Sequence, residues 1–174
     1  HGADVIDIPL LDEGQRFSWN IEAMVEQTLA TGASVLFLCS PANPTGQSLP
    51  VDAMQRLLQA LKGRCLVVID EAYGEYSAQP SALNLLAQYE NLSVLKTLSK
   101  AHALAGARVG GVIADPALIA VLKACQAPYP IAKPSAETAL QALSPQALQA
   151  TRSAVDFCLE ERQRLHNALL SFND

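Results

Sequence analysis

The sequence predicts an α/β fold: a mostly parallel sheet flanked by helices, followed by a long helix toward the C-terminal end. Three features lead there. Short apolar runs alternate with helical stretches at intervals of about 30 residues, the length of a βαβ unit. The runs are continuous rather than alternating, as in strands buried on both faces. Beyond Pro128, Pro130 and Pro134 the strand signal stops, and the remaining chain reads as helix.

The elements follow in order. Residues 21–30 form a helix, with Asn20 as N-cap and Gly32 past its end. Ser34 to Cys39 is a strand expected to be buried on both faces. Pro50 to Leu61 carries apolar residues at Val51, Met54, Leu57, Leu58 and Leu61, one stripe of a helix closed by Gly63. Cys65 to Ile69 is a second buried strand and runs into Asp70 and Glu71. Ser81 to Tyr89 is expected to be helical. Leu92 to Leu95 is a third strand, and Val109 to Ala114 a fourth, stopped by Asp115-Pro116. Helices are expected at Pro116–Cys125 and Ser135–Leu143. A third, opened by Ser144 as N-cap with Pro145 behind it, is expected to reach Leu170.

Composition narrows the function classes. The chain has 174 residues, half of them hydrophobic and 17% charged, which is the make-up of a globular domain with a sizeable core. Its net charge is −5, and its 12 basic residues are dispersed, so there is no electrostatic footprint for nucleic acid. No apolar run approaches the roughly 20 residues that span a bilayer. Cys39, Cys65, Cys125 and Cys158 share no metal-binding spacing with one another or with the three histidines, so no metal is expected. The thiols are expected to be reduced, in a cytoplasmic protein.

In parallel sheets, ligands sit beyond the carboxyl ends of the strands. That rule singles out Asn43 in the turn after the first strand, Asp70 to Tyr73 after the second, and Lys100 after the third. Each has a plain structural reading as well. The prolines and glycine around Asn43 make a turn whatever its amide does. Asp70 at a strand end needs a cationic or N–H partner. A loop lysine is commonly just solvated, and Arg108 can cap a helix. As a set, however, they describe one chemistry. Lys100 is able to form an imine, Asp70 is an acidic partner for a ring nitrogen, and Thr97, Ser99 and Arg108 suit a phosphate. Together they fit pyridoxal phosphate. Two competing motifs fail on context. Ser93-Val-Leu-Lys96 matches SxxK but lies in a strand instead of opening a helix. Gly106, Gly110 and Gly111 do not make a dinucleotide fingerprint.

The stretches "NPTG" (43–46), "DEAY" (70–73) and "TLSKAHALAGARVG" (97–110) together resemble the fold-type I pyridoxal-phosphate aminotransferases. Within them "CSPANPTGQ", "VVIDEAYGEY" and "APYPIAKPSAETALQALSP" are most similar to the histidinol-phosphate aminotransferase branch. The resemblance implies that Lys100 carries the cofactor as a Schiff base and then moves the proton, and that Asp70 keeps the pyridine nitrogen protonated. It implies that Asn43 and Tyr73 hydrogen-bond the phenolic oxygen, and that Thr97, Ser99 and Arg108 bind the phosphate. Lys100, Asp70 and Tyr73 are the expected catalytic residues. Ala42 and Ala107 depart from the family pattern, and neither removes a named chemical group. The implied reaction exchanges an amino group between histidinol phosphate and 2-oxoglutarate, in histidine biosynthesis, by a homodimer. Another enzyme of the same superfamily, such as a broad-range aminotransferase or threonine-phosphate decarboxylase, is the alternative, with a non-catalytic copy of the fold behind it.

The resemblance also implies an incomplete large domain. Residues 1–143 are expected to be part of the cofactor-binding α/β domain and 144–174 a helix leading toward a small domain. The segments that would supply a stacking aromatic, a helix-start phosphate cradle and a carboxylate-binding arginine are expected elsewhere in a longer protein. The long helix is then expected to bare Leu148, Val155, Leu159 and Leu169.

Overall fold

The computed structural model describes residues 2–14 and 16–172; His1, Gln15 and the last two residues of the expected 144–174 helix lie outside the described residues. A two-residue antiparallel hairpin, β1 (Leu11–Asp12) and β2 (Phe17–Ser18), precedes helix α1 (Ile21–Thr31). The Asn20 side chain caps α1 by accepting from the Ala23 amide at 3.0 Å. Gly32 ends it at φ 66°, a left-handed conformation that glycine adopts without a Cβ penalty. Next come β3 (Val35–Cys39), α2 (Val51–Ala60), β4 (Leu66–Asp70), β5 (Leu92–Thr97) and β6 (Gly110–Ala114). Helices α3 (Pro116–Cys125), α4 (Lys133–Ala142) and α5 (Pro145–Leu170) complete the chain.

The main sheet has the order β3-β4-β5-β6. The first three strands run parallel and β6 returns antiparallel to β5, so the sheet is mostly parallel, as expected. Its core lies where β4 and β5 meet α2. Val67, Ile69, Leu92 and Val94 are fully buried, together with Leu57, Leu58 and Leu61. Each such side chain contributes about 1.5–3 kcal/mol by leaving water. Val68 and Ser93 are also buried, so β4 and the start of β5 are covered on both faces.

Several expectations need correction. β3 is not buried on both faces: Leu38 is buried, but Phe37 is 69% exposed. The strand lies at the sheet edge, paired only with β4 among the described residues, and an open apolar groove separates it from residues 3–10. Residues 81–89 do not form an α-helix. They make a 3₁₀ turn at Ala82–Leu85, because Ser81 and the Ala82 amide are held by the Glu71 carboxylate. The i, i+3 spacing then buries Ala82 and Leu85 on one side.

The third strand continues past Leu95 to Thr97, extended by pairing of Lys96 and Thr97 with Gly111 and Gly110. α4 starts at Lys133, so Pro134 sits in its first turn instead of breaking the chain. α5 runs unbroken, and its apolar face is partly covered. It packs on the turn Gly74–Tyr76, Val155 is buried, Leu148 and Leu159 are half-buried, and Leu169 remains exposed.

The β5–β6 crossing depends on one glycine. A Cβ at Gly110 would lie 2.9 Å from the Lys96 carbonyl oxygen, whereas one at Gly111 would meet nothing within 4 Å. Gly110→Ala in the full-length protein should therefore cost about 1–3 kcal/mol of stability through overpacking. Gly111→Ala should stay within about 0.5 kcal/mol. Urea unfolding midpoints measure the contrast, and equal losses at both positions would refute it.

Candidate active site

Parallel pairing brings the strand ends level. Cys39 is in register with Asp70, and Asp70 with Leu95. Asp70 is the last residue of β4 and Thr97 the last of β5, so the expected site residues leave the same edge of the sheet. Beyond that edge lies an open cleft of about 790 Å³, lined by Asp70, Thr97, Ser99, Lys100 and Arg108 and walled by α3. Five of the seven expected site residues therefore meet in one space.

The other two join it indirectly. The Tyr73 ring lies beneath the Lys100 ammonium, 5.1 Å from Nζ to the ring centroid, within cation–π range. Asn43 lies at the turn after β3 and donates from Nδ2 to the Tyr73 hydroxyl at 3.3 Å. Asn43, Tyr73 and Lys100 thus form a chain of contacts from the β3 turn to the cleft, although neither Asn43 nor Tyr73 lines it.

Local bonding explains how each group is held. Asp70 is half-buried, and its Oδ1 accepts from the Ala72 amide at 2.9 Å, the N–H partner expected for a strand-end carboxylate. The loop after β5 is stitched to the start of β6: the Leu98 amide donates to the Val109 carbonyl at 3.0 Å, and Leu104 donates to Leu98 at 2.9 Å. Thr97 Oγ1 accepts from the Ser99 amide at 3.1 Å and lies 2.9 Å from Ser99 Oγ, so the two hydroxyls stand side by side. Arg108 is exposed at φ 55°, and its guanidinium donates to the Ala105 carbonyl at 2.9 Å. A left-handed conformation at a non-glycine residue is costly, and such residues cluster at functional sites. Among the described residues lining the cleft, Asp70 is the single carboxylate, set against Lys96, Lys100, Arg108 and Lys123. That balance favours an anionic ligand carrying one positive point.

Sequence reasoning missed a second ionic group beside the site. Glu71 is 4% exposed and pairs with Lys96 at 3.2 Å, and Lys96 also reaches Glu75 at 3.2 Å. The available signal was a second acid directly after Asp70, which a strand end would not bury without a cation. Among the described residues no His, Cys, Asp and Glu side chains gather as a metal-binding group.

The model of the family described as aminotransferase class I and II matches residues 1–173. The chain belongs to the class I and II aminotransferases. This aminotransferase-family chain is 52% identical over 167 residues to the histidinol-phosphate aminotransferase of Xanthomonas euvesicatoria pv. vesicatoria (strain 85-10), covering 96% of the chain and 46% of that protein. It is 49% identical over 168 residues to the enzyme of the same name from Stenotrophomonas maltophilia (strain R551-3), covering 97% of the chain and again 46% of that protein. It spans about half the length of the curated relatives it matches. Among solved structures it resembles the histidinol-phosphate aminotransferase of Sinorhizobium meliloti in complex with pyridoxal-5'-phosphate. That match has a TM-score of 0.82 at 27% identity, over 95% of this chain and 44% of that one.

In this aminotransferase-family chain Cys39 reports on Asp70. Partial loss of solvation at the strand end, and then the Asp70 charge, push its thiol above the ordinary range, although the residue as a whole is exposed. The thiolate is the reactive form, so alkylation at Cys39 should stay slow at neutral pH and rise only above the usual thiol range. Asp70→Asn removes the smaller of the two causes and should shift that rise to lower pH. Peptide mapping of alkylated Cys39 across pH checks it; an unmoved profile would contradict the pairing.

Proposed function

We propose that the full-length protein is a pyridoxal-phosphate-dependent aminotransferase that passes the amino group of histidinol phosphate to 2-oxoglutarate in histidine biosynthesis. The observation that carries this reading is the cleft in which Lys100, stacked on Tyr73, faces the same space as Asp70 and the Thr97, Ser99 and Arg108 donors. The names of relatives about half identical over nearly the whole chain support the choice of amino donor.

The residues present fit the cofactor. One primary amine, one carboxylate, two adjacent hydroxyls and a guanidinium match its carbonyl, ring nitrogen and phosphate. The cationic balance of the cleft suits a phosphorylated ligand. When bound, pyridoxal phosphate supplies a carbonyl that condenses with amines and a ring that withdraws electrons from the substrate α-carbon.

The chain's own residues do the rest. Thr97, Ser99 and Arg108 hold the phosphate, with the guanidinium supplying charge and the hydroxyls supplying direction. Asp70, anchored by the Ala72 amide, holds a proton on the ring nitrogen. Asn43 and Tyr73 hydrogen-bond the phenolic oxygen. Lys100 would hold the cofactor through its amine and would carry a proton to or from the substrate α-carbon, and its seat on Tyr73 keeps the amine within the cleft.

Residues 1–143 belong, in this reading, to the large cofactor domain, and α5 leads toward a second, smaller one. The protein works in the cytoplasm as a homodimer on a small-molecule donor and a 2-oxo acid. No helix among the described residues is long and apolar enough to cross a membrane.

Borohydride treatment of the full-length protein with cofactor should bleach its visible absorption and fix the label on Lys100. A label on Lys96 or Lys123 would overturn the assignment. Asp70→Asn keeps the size but loses the charge, so its deficit should fall on kcat, by tenfold or more, equivalent to about 1.4 kcal/mol of transition-state stabilisation. Steady-state kinetics with histidinol phosphate measure it, and an unchanged kcat would contradict the role.

A further inference from the structure

We infer that Lys96, through its ion pairs to Glu71 and Glu75, is a positioning residue that sets Tyr73 beneath Lys100. The inference deepens the reading of Lys100 given above and rests on it. Lys96 and Lys100 leave the same strand end of β5, and their partners leave one turn after β4. Glu71 and Glu75 flank Tyr73 in that turn by two residues on either side. The Lys96 ammonium bridges both carboxylates, at 3.2 Å each, and so ties down both ends of the segment that carries the ring.

The tie is built in with care. Glu71 is 4% exposed, and its carboxylate also accepts from Ser81 Oγ at 2.7 Å and from the Ala82 amide at 2.6 Å. Its amide donates to the Leu95 carbonyl at 3.0 Å, and the Gly74 amide returns to the Glu71 carbonyl at 2.8 Å. Gly74 is the second part of the device. A Cβ there would lie 2.6 Å from Lys96 Nζ and 3.1 Å from Glu71 Cβ, so an added methyl would displace the movable ammonium from its present place between the two carboxylates. Glu71, Gly74 and Glu75 all serve Lys96, and Tyr73 between them serves Lys100.

The groups facing Lys100 across the cleft are Asp70 from β4, Arg108 before β6, and Lys123 with Cys125 from α3. A loosened turn leaves those in place and withdraws the Tyr73 ring. The ring, half-buried in the intact turn, then opens to solvent and Lys100 loses its aromatic partner. Removal of the Lys96 charge without loosening the turn leaves the ring where it is, so exposure of the Tyr73 ring separates positioning from simple electrostatics.

The test is nitration of the full-length protein, freed of cofactor, by tetranitromethane at one fixed pH, with the Tyr73 peptide quantified by mass spectrometry and Tyr89 as the internal reference. Lys96→Met should raise nitration of Tyr73 severalfold and leave Tyr89 unchanged, and Lys96→Arg should restore the wild-type level. Gly74→Ala changes no charge and crowds Nζ, so it should raise Tyr73 nitration too, and it serves alone if Lys96→Met does not fold. Unchanged nitration of Tyr73, or an equal rise at Tyr89, would overturn the inference. Because nitration needs no cofactor, failure of the borohydride label on Lys100 would count against the proposed function and be read separately.

Discussion

The pairing of β4 with β5 is the constraint on which the rest of the molecule depends. These two strands occupy the middle of the sheet, and their Val67, Ile69, Leu92 and Val94 side chains are withdrawn from water entirely. Their register is fixed by that burial. A slip of one residue would turn every side chain to the opposite face and send the core valines and isoleucine outward. The same register sets the height of the site. With Asp70 opposite Leu95, the ring-nitrogen candidate ends its strand two positions before Thr97 ends its own. Core packing and site geometry are thus one specification, written twice.

Two neighbouring carboxylates illustrate how the strand end divides labour. Asp70 faces the open cleft and keeps only a light tether, one backbone N–H on Oδ1. Glu71 turns the other way, as successive residues at a strand end do, and is buried with a serine, an amide and a lysine around it. The exposed member is available to a ligand. The buried one is a joint between β4, the following turn and β5. Losing its cation would strand a charge in the interior, which is among the costlier changes a fold can suffer. The lysines divide similarly: Lys96 is held in the joint, while Lys100 reaches the cleft over the face of Tyr73.

The side of the cleft that carries Thr97, Ser99 and Arg108 depends on backbone more than on packing. Residues 98–109 contain few buried side chains and are held by hydrogen bonds between their own ends. Arg108 takes a left-handed conformation immediately before the strand that Gly110 allows to approach β5. Small residues at 101, 103, 105, 106 and 107 leave room for that path. The hydrogen bonds within this loop orient its hydroxyls and guanidinium before any ligand arrives, and such preorganisation lowers the entropy cost of holding an anion.

The sequence by itself determined the alternation of strands and helices, the capped ends of α1 and the capped start of α5, and five of the residues that line the cleft. These were legible because they rest on local rules: Asn20 and Ser144 satisfy the first amides of their helices wherever those helices go, and ligands gather at parallel strand ends. The sequence did not determine what depends on partners distant along the chain. The apolar run at residues 34–39 reads as a central strand, yet only tertiary position made it an edge. The helical pattern at 81–89 lost to a buried glutamate that captured its first amide. β5 was lengthened by a neighbour fifteen residues on, Gly111 opposite Lys96. The Glu71–Lys96–Glu75 joint and the seat of Lys100 on Tyr73 belong to the same class. Each joins residues more than twenty positions apart, and only the packed sheet, by fixing how two strand ends face each other, decides that they meet.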